Sequence, residues 1–266
     1  MRDYSEMQDF YENRYDENKR MGRNPLEYLR CKEIIGRYLG GEKLKIVDIG
    51  GATGAFSFWL AEKGHIVSLL DYTPSHIEQA EEKSASGSIK LHACDCGDAR
   101  NLPYADEKFD MVLLMGPLYH MQKAEDRLQC LSEAHRVLKK GGIMICECIS
   151  RYANIFEGFQ HHLMDDEKFV EILDENLASG MHNPKDTPYF TTAFFHSIEL
   201  LKSELEQAKF SFVDLVAVEG FAQALDKNSW LADEGKKETL LKYIRQTERI
   251  PELLGISGHH MIIGKK

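Results

Sequence analysis

The sequence lacks a positive excess: 33 Lys and Arg stand against 43 Asp and Glu, a formal charge of −10. Without a global basic field, nothing general draws a phosphate backbone to the surface. Nucleic acid is therefore a poor first partner. No uninterrupted apolar run reaches the roughly 18 residues of a membrane helix, and Met1-Arg2-Asp3-Tyr4-Ser5-Glu6 lacks the apolar stretch of a signal peptide. A cytoplasmic protein without membrane contact is expected. Cysteine is sparse as well, with six in the chain, and in that compartment they are expected as reduced thiols. Only Cys94/Cys96 and Cys146/Cys148 are spaced to put two thiols on one face of a strand.

What the chain does contain is enough apolar material for one large α/β domain with an insertion: 266 residues, 43% hydrophobic. Its centre is Lys45-Ile46-Val47-Asp48-Ile49-Gly50-Gly51-Ala52-Thr53-Gly54-Ala55-Phe56, which reads as a buried strand, a glycine loop and a helix opening near Gly54. In this arrangement backbone amides at a helix N-terminus approach a nucleotide-like ligand. Gly50, Gly51 and Gly54 remove the side chains that would block it, and Gly also accepts positive φ.

A strand-helix alternation follows. Strands are expected at 65–70, 89–93, 109–114 and 143–149, with helices at 74–84 and 123–138, the latter stopped by Gly141-Gly142. This pattern predicts a doubly wound, mostly parallel sheet whose strand ends carry Gly50, Asp71, Asp98, Met115 and Glu147 to one rim. Asp71, about 20 residues past the glycine loop, suits the two hydroxyls of a ribose. Asp98 is placed for an adenine amino group, and Asp48 for orienting the loop amides. A loose dinucleotide fingerprint, Gly50-x-Ala52-x-x-Ala55, leaves a nicotinamide-dependent oxidoreductase as a rival with the same use for Asp71. It gives Asp98-Ala99 and the stretch from Arg136 to Gly142 no role.

Five ordered segments, 47–54, 69–74, 98–103, 109–114 and 134–142, together resemble the class I S-adenosylmethionine-dependent methyltransferases over about residues 42–150, with Gly258 to Ile263 similar to the last strand of that fold. The resemblance implies a seven-stranded sheet of order 3-2-1-4-5-7-6 with strand seven antiparallel. It also implies S-adenosylmethionine as cofactor, S-adenosylhomocysteine as product and a small-molecule methyl acceptor. By the same resemblance Gly50, Gly51 and Gly54 line the methionine part, Asp71 with Tyr72 beside it the ribose, Asp98 and Ala99 the adenine, and Met115 the amino-acid moiety. Ala52 departs from the pattern, because a third glycine is common there. In that strand order the two Cys-x-Cys pairs stand about 19 Å apart, too far for one zinc ion with Zn–S near 2.3 Å. No metal site is expected.

Around this centre the chain divides into an N-terminal helical lid (1–41), the cofactor half (42–150), a cap insertion over the acceptor site (151–192) and a return to the same sheet (193–266). In the lid, Tyr4, Phe10, Tyr11 and Tyr15 add aromatic weight, and a helix from Pro25 carries Arg30, Lys32 and Glu33, read as solvated or as closing on a ligand. At the end of the fourth strand His120 is the candidate base, with Glu147 as an assistant and His196, just before a helix capped by Ser197, as a third candidate. A thiol-handling role for Cys148 is the remotest reading. Phe156, Phe159, His161, His162, Tyr189, Phe190, Phe194 and Phe195 make the cap aromatic enough to enclose a small organic acceptor or to be its own core. A non-catalytic module that keeps the cofactor pocket as a sensor is the alternative to an enzyme.

Overall fold

The computed structural model describes residues 7, 9–14, 24–184 and 187–266. Tyr4 and Tyr15 lie outside them. The first described segment is a short π-helical turn, Phe10–Arg14, and α1 spans Pro25–Gly36. Proline opens α1, as its fixed φ and missing N–H allow.

The core is a seven-stranded sheet. In chain order come β1 (Lys45–Ile49), α2 (Ala55–Glu62), β2 (Ile66–Asp71), α3 (Pro74–Ser86), β3 (Ala93–Cys96), β4 (Phe109–Leu114), α4 (Ala124–Val137) and β5 (Leu138–Ile149). After them come α5 (Ala153–Gln160), α6 (Glu167–Ser179) and a two-stranded ribbon of β6 (Met181–His182) and β7 (Ala193–Phe194). The chain then returns with α7 (Ile198–Gln207), β8 (Ser211–Ala217), α8 (Lys227–Leu231), α9 (Glu234–Thr247), α10 (Pro251–Leu254) and β9 (His259–Lys265). The sheet order is β3-β2-β1-β4-β5-β9-β8. The order 3-2-1-4-5-7-6 holds once the ribbon, which stands outside this sheet, is left out of the numbering. Strands β1 to β5 pair in parallel, and β9 is antiparallel to both neighbours.

The parallel strands are continuous apolar runs because helices cover both faces of the sheet. Val47, Ile49, Val112 and Leu114 pack with Leu131 and Ala134 of α4 and Leu201 of α7 on one side. Ile46, Met111 and Leu113 pack with Cys31, Ile34 and Ile35 of α1 and Phe56 and Leu60 of α2 on the other. Alternate residues of each strand thus serve opposite layers.

Three boundaries differ from the sequence reading. Strand three forms at Ala93–Cys96 rather than at 89–93. Gly141-Gly142 does not separate helix from strand: β5 already begins at Leu138, and the register with β4 jumps from Phe109↔Leu138 to Met111↔Ile143. The glycines sit in that irregularity, Gly141 at φ 78°, as a bulge in an extended strand requires. Lys209, past the end of α7 where Gly is usual, takes φ 67° and still closes the helix by donating its amide to Glu206 O at 2.9 Å.

Arg30 is not solvated and lines neither of the cavities described below. It is wholly buried, donating from Nε to Val218 O at 3.1 Å and from Nη2 to Glu248. Glu248 also accepts from Arg37 at 2.7 Å. The pair fastens α1 to the segments that follow β8 and α9.

Candidate active site

The chain leaves β1 in a turn that few side chains tolerate. Gly50 and Gly54 have φ of 72° and 85°, and Ala52 is also left-handed at 50°. A Cβ on Gly50 would stand 2.6 Å from the Pro117 ring, and one on Gly51 would stand 2.5 Å from Asp48 Oδ2. Packing therefore demands glycine at both. The strain at Ala52, of order 1–2 kcal/mol for a left-handed L-residue, is offset by its amide, which donates to Asp71 Oδ2 at 2.8 Å. Asp71 Oδ1 accepts from the Thr73 amide at 2.9 Å and lies 3.2 Å from His76 Nδ1. One carboxylate thus ties the glycine loop to the start of α3.

Gly50, Gly51, Asp71, Tyr72, Asp98, Ala99, Met115 and His120 line one pocket, as the sequence reading places them. Asp98 is held flat by Arg100, whose Nε lies 3.0 and 3.1 Å from its two oxygens. Burial alone would raise its pKa; the guanidinium overrides this and holds it below the ordinary value. The carboxylate presented to the pocket is therefore fixed and charged.

Four expected positions fall elsewhere. Asp48 lies beneath the loop, not on the pocket wall; burial pushes its carboxyl up to about 6 although Ser57 Oγ donates to it at 2.7 Å. Gly54 caps α2 and does not line the pocket. Glu147 faces α1, where Cys31 Sγ lies 3.1 Å from its Oε1, because alternation along β5 turns Cys146 and Cys148 to the opposite layer. It lines neither cavity described here. His196 is likewise buried, 3.3 Å from Glu204, which also binds Arg127. Burial opposes charge on His196, yet Cys148 and Glu204 raise its pKa; burial would likewise raise the Cys148 thiol, but the Cys146 contact and the His196 imidazolium lower it. This is a buried ionic network under the sheet, not an acceptor contact, and Cys148 has no route to a substrate through it.

After β4 the chain makes a short 3-10 turn, Pro117–His120. His120 Nε2 lies 3.0 Å from Tyr11 Oη, and the Tyr11 ring meets the edges of His76 and His120 at 5.8 and 5.4 Å. Tyr11 and Tyr119 also line a second cavity of about 650 Å³ next to the first. Its other walls come from α1 (Glu27), the cap (Glu157, Phe190, Phe195), the turn after β8 (Glu219, Gln223) and the start of β9 (His259). Of the cap aromatics and histidines named from sequence, Phe190, Phe195 and His161 reach this cavity. Phe159 is exposed, Phe194 covers the Arg127 guanidinium at 3.7 Å, and Tyr189 donates to Asp166 at 2.6 Å. Glu27, Glu219 and His259 had no sequence signal, since three remote segments supply them.

Glu219 and His259 form a buried ion pair, Oε1 to Nδ1 at 2.7 Å. Burial opposes the charge of each partner, but mutual attraction prevails: Glu219 falls from 4.5 to about 2 and His259 rises. A carboxyl whose folded pKa is depressed stabilises above its unfolded pKa and loses that contribution as pH falls through the folded value. The stability gap between wild type and Glu219→Gln, measured by urea unfolding, is expected to be largest between pH 4.5 and 6.5, to shrink toward pH 2 as Glu219 protonates, and to shrink again toward pH 10 as His259 loses its proton. A gap that widens in acid would contradict the assignment.

The sheet order, the glycine loop and the acidic strand ends define the class I S-adenosylmethionine-dependent methyltransferase fold. Residues 47–146, well under half of the chain, match the family model described as "Methyltransferase domain". It is 33% identical over 107 residues to 2-methyl-6-phytyl-1,4-hydroquinone methyltransferase 2, chloroplastic, from Oryza sativa subsp. japonica, covering 40% of this chain and 29% of the relative. It is 38% identical over 103 residues to demethylmenaquinone methyltransferase from Alkalihalophilus pseudofirmus, covering 38% and 42%. The chain thus spans less than half the length of these curated relatives. Among solved structures it is similar to a SAM-dependent methyltransferase from Methanosarcina mazei, with TM-score 0.61, 20% identity and coverage of 88% and 96% of the two chains. Among the described residues no helix is long and apolar enough to cross a membrane.

Proposed function

We propose that this chain transfers a methyl group from S-adenosylmethionine to a small-molecule acceptor. The observation that carries the reading is the meeting of two cavities at Tyr11 and Tyr119, one lined by the glycine loop and the acidic strand ends, the other, apart from Tyr119, by residues outside the span that the family model matches.

The first pocket fits the donor: its backbone floor is kept bare by Gly50 and Gly51, and two carboxylates stand at consecutive strand ends. Asp71 and Tyr72 would hold the ribose, Asp98 and Ala99 the adenine, and Gly50, Gly51 and Met115 the methionine part. The bound donor supplies an electrophilic methyl carbon. The protein's share is to hold the acceptor atom in line behind that carbon, exclude water and take up the acceptor's proton. His120, at the junction and within hydrogen-bond reach of Tyr11, is the proton acceptor; Glu147 and His196 have no part in it. The lid (1–41) and the cap (151–192) close the acceptor side, a reading supported by Tyr11 and Phe190 on the cavity wall and by Phe10 packing edge-on against Phe190 at 5.7 Å.

Titration with S-adenosylhomocysteine, followed by incubation of methyl-labelled donor with a panel of small metabolites, tests the proposal. Saturable binding with label transfer is expected. Binding without any turnover would identify a sensor module, and absence of binding would end the reading. His120→Gln is expected to lower kcat by about 10²-fold, the usual contribution of a positioned base, while donor affinity stays; a near-normal rate at every pH would remove His120 from the chemistry.

A further inference from the structure

Apart from Tyr119, the wall of the second cavity comes from residues outside the span that the family model matches, so what it selects is particular to this chain. We infer that His259 selects the methyl acceptor: its Nε2 donates a hydrogen bond to a carbonyl oxygen of the acceptor, at the end away from the atom that is methylated. Given the methyl-transfer reading, on which this rests, the acceptor is then a small molecule with an apolar body and a carbonyl group.

The sheet and one carboxylate fix His259 in place. Its backbone pairs with Ile149 of β5, its carbonyl accepts from the Val218 amide at 3.0 Å, and its amide donates to Glu219 Oε2 at 2.9 Å. The same carboxylate holds the ring, with Oε1 2.7 Å from Nδ1. Ser257 Oγ donates to Oε2 at 2.9 Å, so both oxygens of Glu219 are engaged and the ring is oriented from its Nδ1 side. Nε2 stands on the opposite edge of the ring. Among the described residues nothing bonds to it, and 22% of the side chain stays exposed on the cavity wall.

Burial opposes charge on this ring, but Glu219 above all, with Glu27 and Glu147 behind it, raises its pKa to about 10. A protonated imidazole carries a hydrogen on each nitrogen. Nε2 is therefore a donor held on a rigid strand end, pointing away from its carboxylate. A molecule without an answering lone pair would strip water from it and put nothing back, whereas a carbonyl oxygen replaces the lost bond with a charge-assisted one.

Between His259 and the donor pocket lies an apolar floor. Tyr119, Ile149, Ala153, Phe190 and Phe195 pack as one cluster, and all five line the cavity. β9 stands two places from β4 in the sheet; at about 4.8 Å per step, His259 lies about 10 Å from the strand end that leads to Tyr119 and His120. A ring with a short side chain spans that gap, with its reacting atom at the junction of the cavities and its carbonyl at His259. As the acceptor's lone pair takes the methyl carbon, the carbon–sulfur pair leaves on sulfur and the acceptor's proton passes to His120. His259 keeps its own proton throughout.

Two probes test the assignment on the protein saturated with S-adenosylhomocysteine: para-hydroxybenzylacetone and para-butylphenol, which differ by a carbonyl in place of one methylene. Calorimetry gives the ratio of their Kd values in wild type and in His259→Gln, whose side-chain amide can still donate to Glu219. The ratio is expected to move about tenfold against the ketone in the variant, the weight of one charge-assisted hydrogen bond. A ratio within about twofold of wild type, in a variant that circular dichroism shows to be folded, overturns the assignment. A crystal structure of the wild-type protein with S-adenosylhomocysteine and the ketone decides the matter even if the variant fails to fold: the ketone oxygen is expected within about 3.2 Å of His259 Nε2. An oxygen seated elsewhere, or binding of neither probe, overturns the assignment and leaves methyl transfer standing. Failure to bind S-adenosylhomocysteine overturns both.

Discussion

Asp71→Ala is expected to weaken S-adenosylhomocysteine binding by about 10²-fold or more, the loss of two charged hydrogen bonds at about 1.5–3 kcal/mol each. The change acts twice. It removes the carboxylate proposed to hold the ribose, and it releases the Ala52 amide whose bond to Oδ2 at 2.8 Å keeps the loop left-handed at that residue. Asp71→Asn separates the two effects: one carbonyl oxygen remains, and it cannot serve both the Ala52 and Thr73 amides. Calorimetric titration of the three proteins is the measurement. Affinity within threefold of wild type for Asp71→Ala would show that the loop and ribose do not depend on it.

The largest loss of stability is expected from Arg30→Met. Arg30 is wholly buried and donates to Val218 O and Glu248. Its removal leaves Glu248 with Arg37 and Arg249, both of them half-exposed, in place of a buried partner. Breaking a buried ion pair from one side costs about 3–5 kcal/mol, and at about 2–4 °C per kcal/mol for a chain of this size the Tm should fall by roughly 10 °C. A thermal melt showing a change under about 2 °C would mean the pair is energetically idle. Arg30→Met combined with Glu248→Leu should recover part of the loss, since an apolar pair of similar volume tolerates burial better than a carboxylate that has lost its one buried partner.

The sheet and the donor pocket were legible because their signals are local. Each parallel strand is a short apolar run with a polar residue at its end, and Gly50, Gly51, Asp71 and Asp98 each announce themselves within a few residues of such an end. Side-chain direction was less legible. Glu147 and Cys148 both end β5 at the rim, but adjacent residues point to opposite layers, and only the register against β9, Glu147↔Met261 and Cys148↔His260, fixes which goes where. His196 directly follows Phe194-Phe195 and reads as a polar helix-entry residue, a candidate acceptor contact; the bridge between Ser150 and His196 draws it inward. Arg30 looked solvated because nothing near residue 30 announces Glu248. The second cavity was invisible for the same reason: residues 27, 219 and 259 share no pattern, and only the closure of β9 onto β5 brings them together.

That closure also orders events in time. β9 lies between β5 and β8, although Ile149 and its partner His259 are more than a hundred residues apart along the chain. Until β9 has left the ribosome, the far edge of β5 is an unpaired row of amides and carbonyls, and β8 has no strand to join. The first five strands can assemble during synthesis through short right-handed crossovers, whereas the acceptor wall forms late, by long-range pairing that is slow and exposes an adhesive edge meanwhile. Under the proposed function, the donor pocket is thus complete along β1 to β4 before the wall of the second cavity closes.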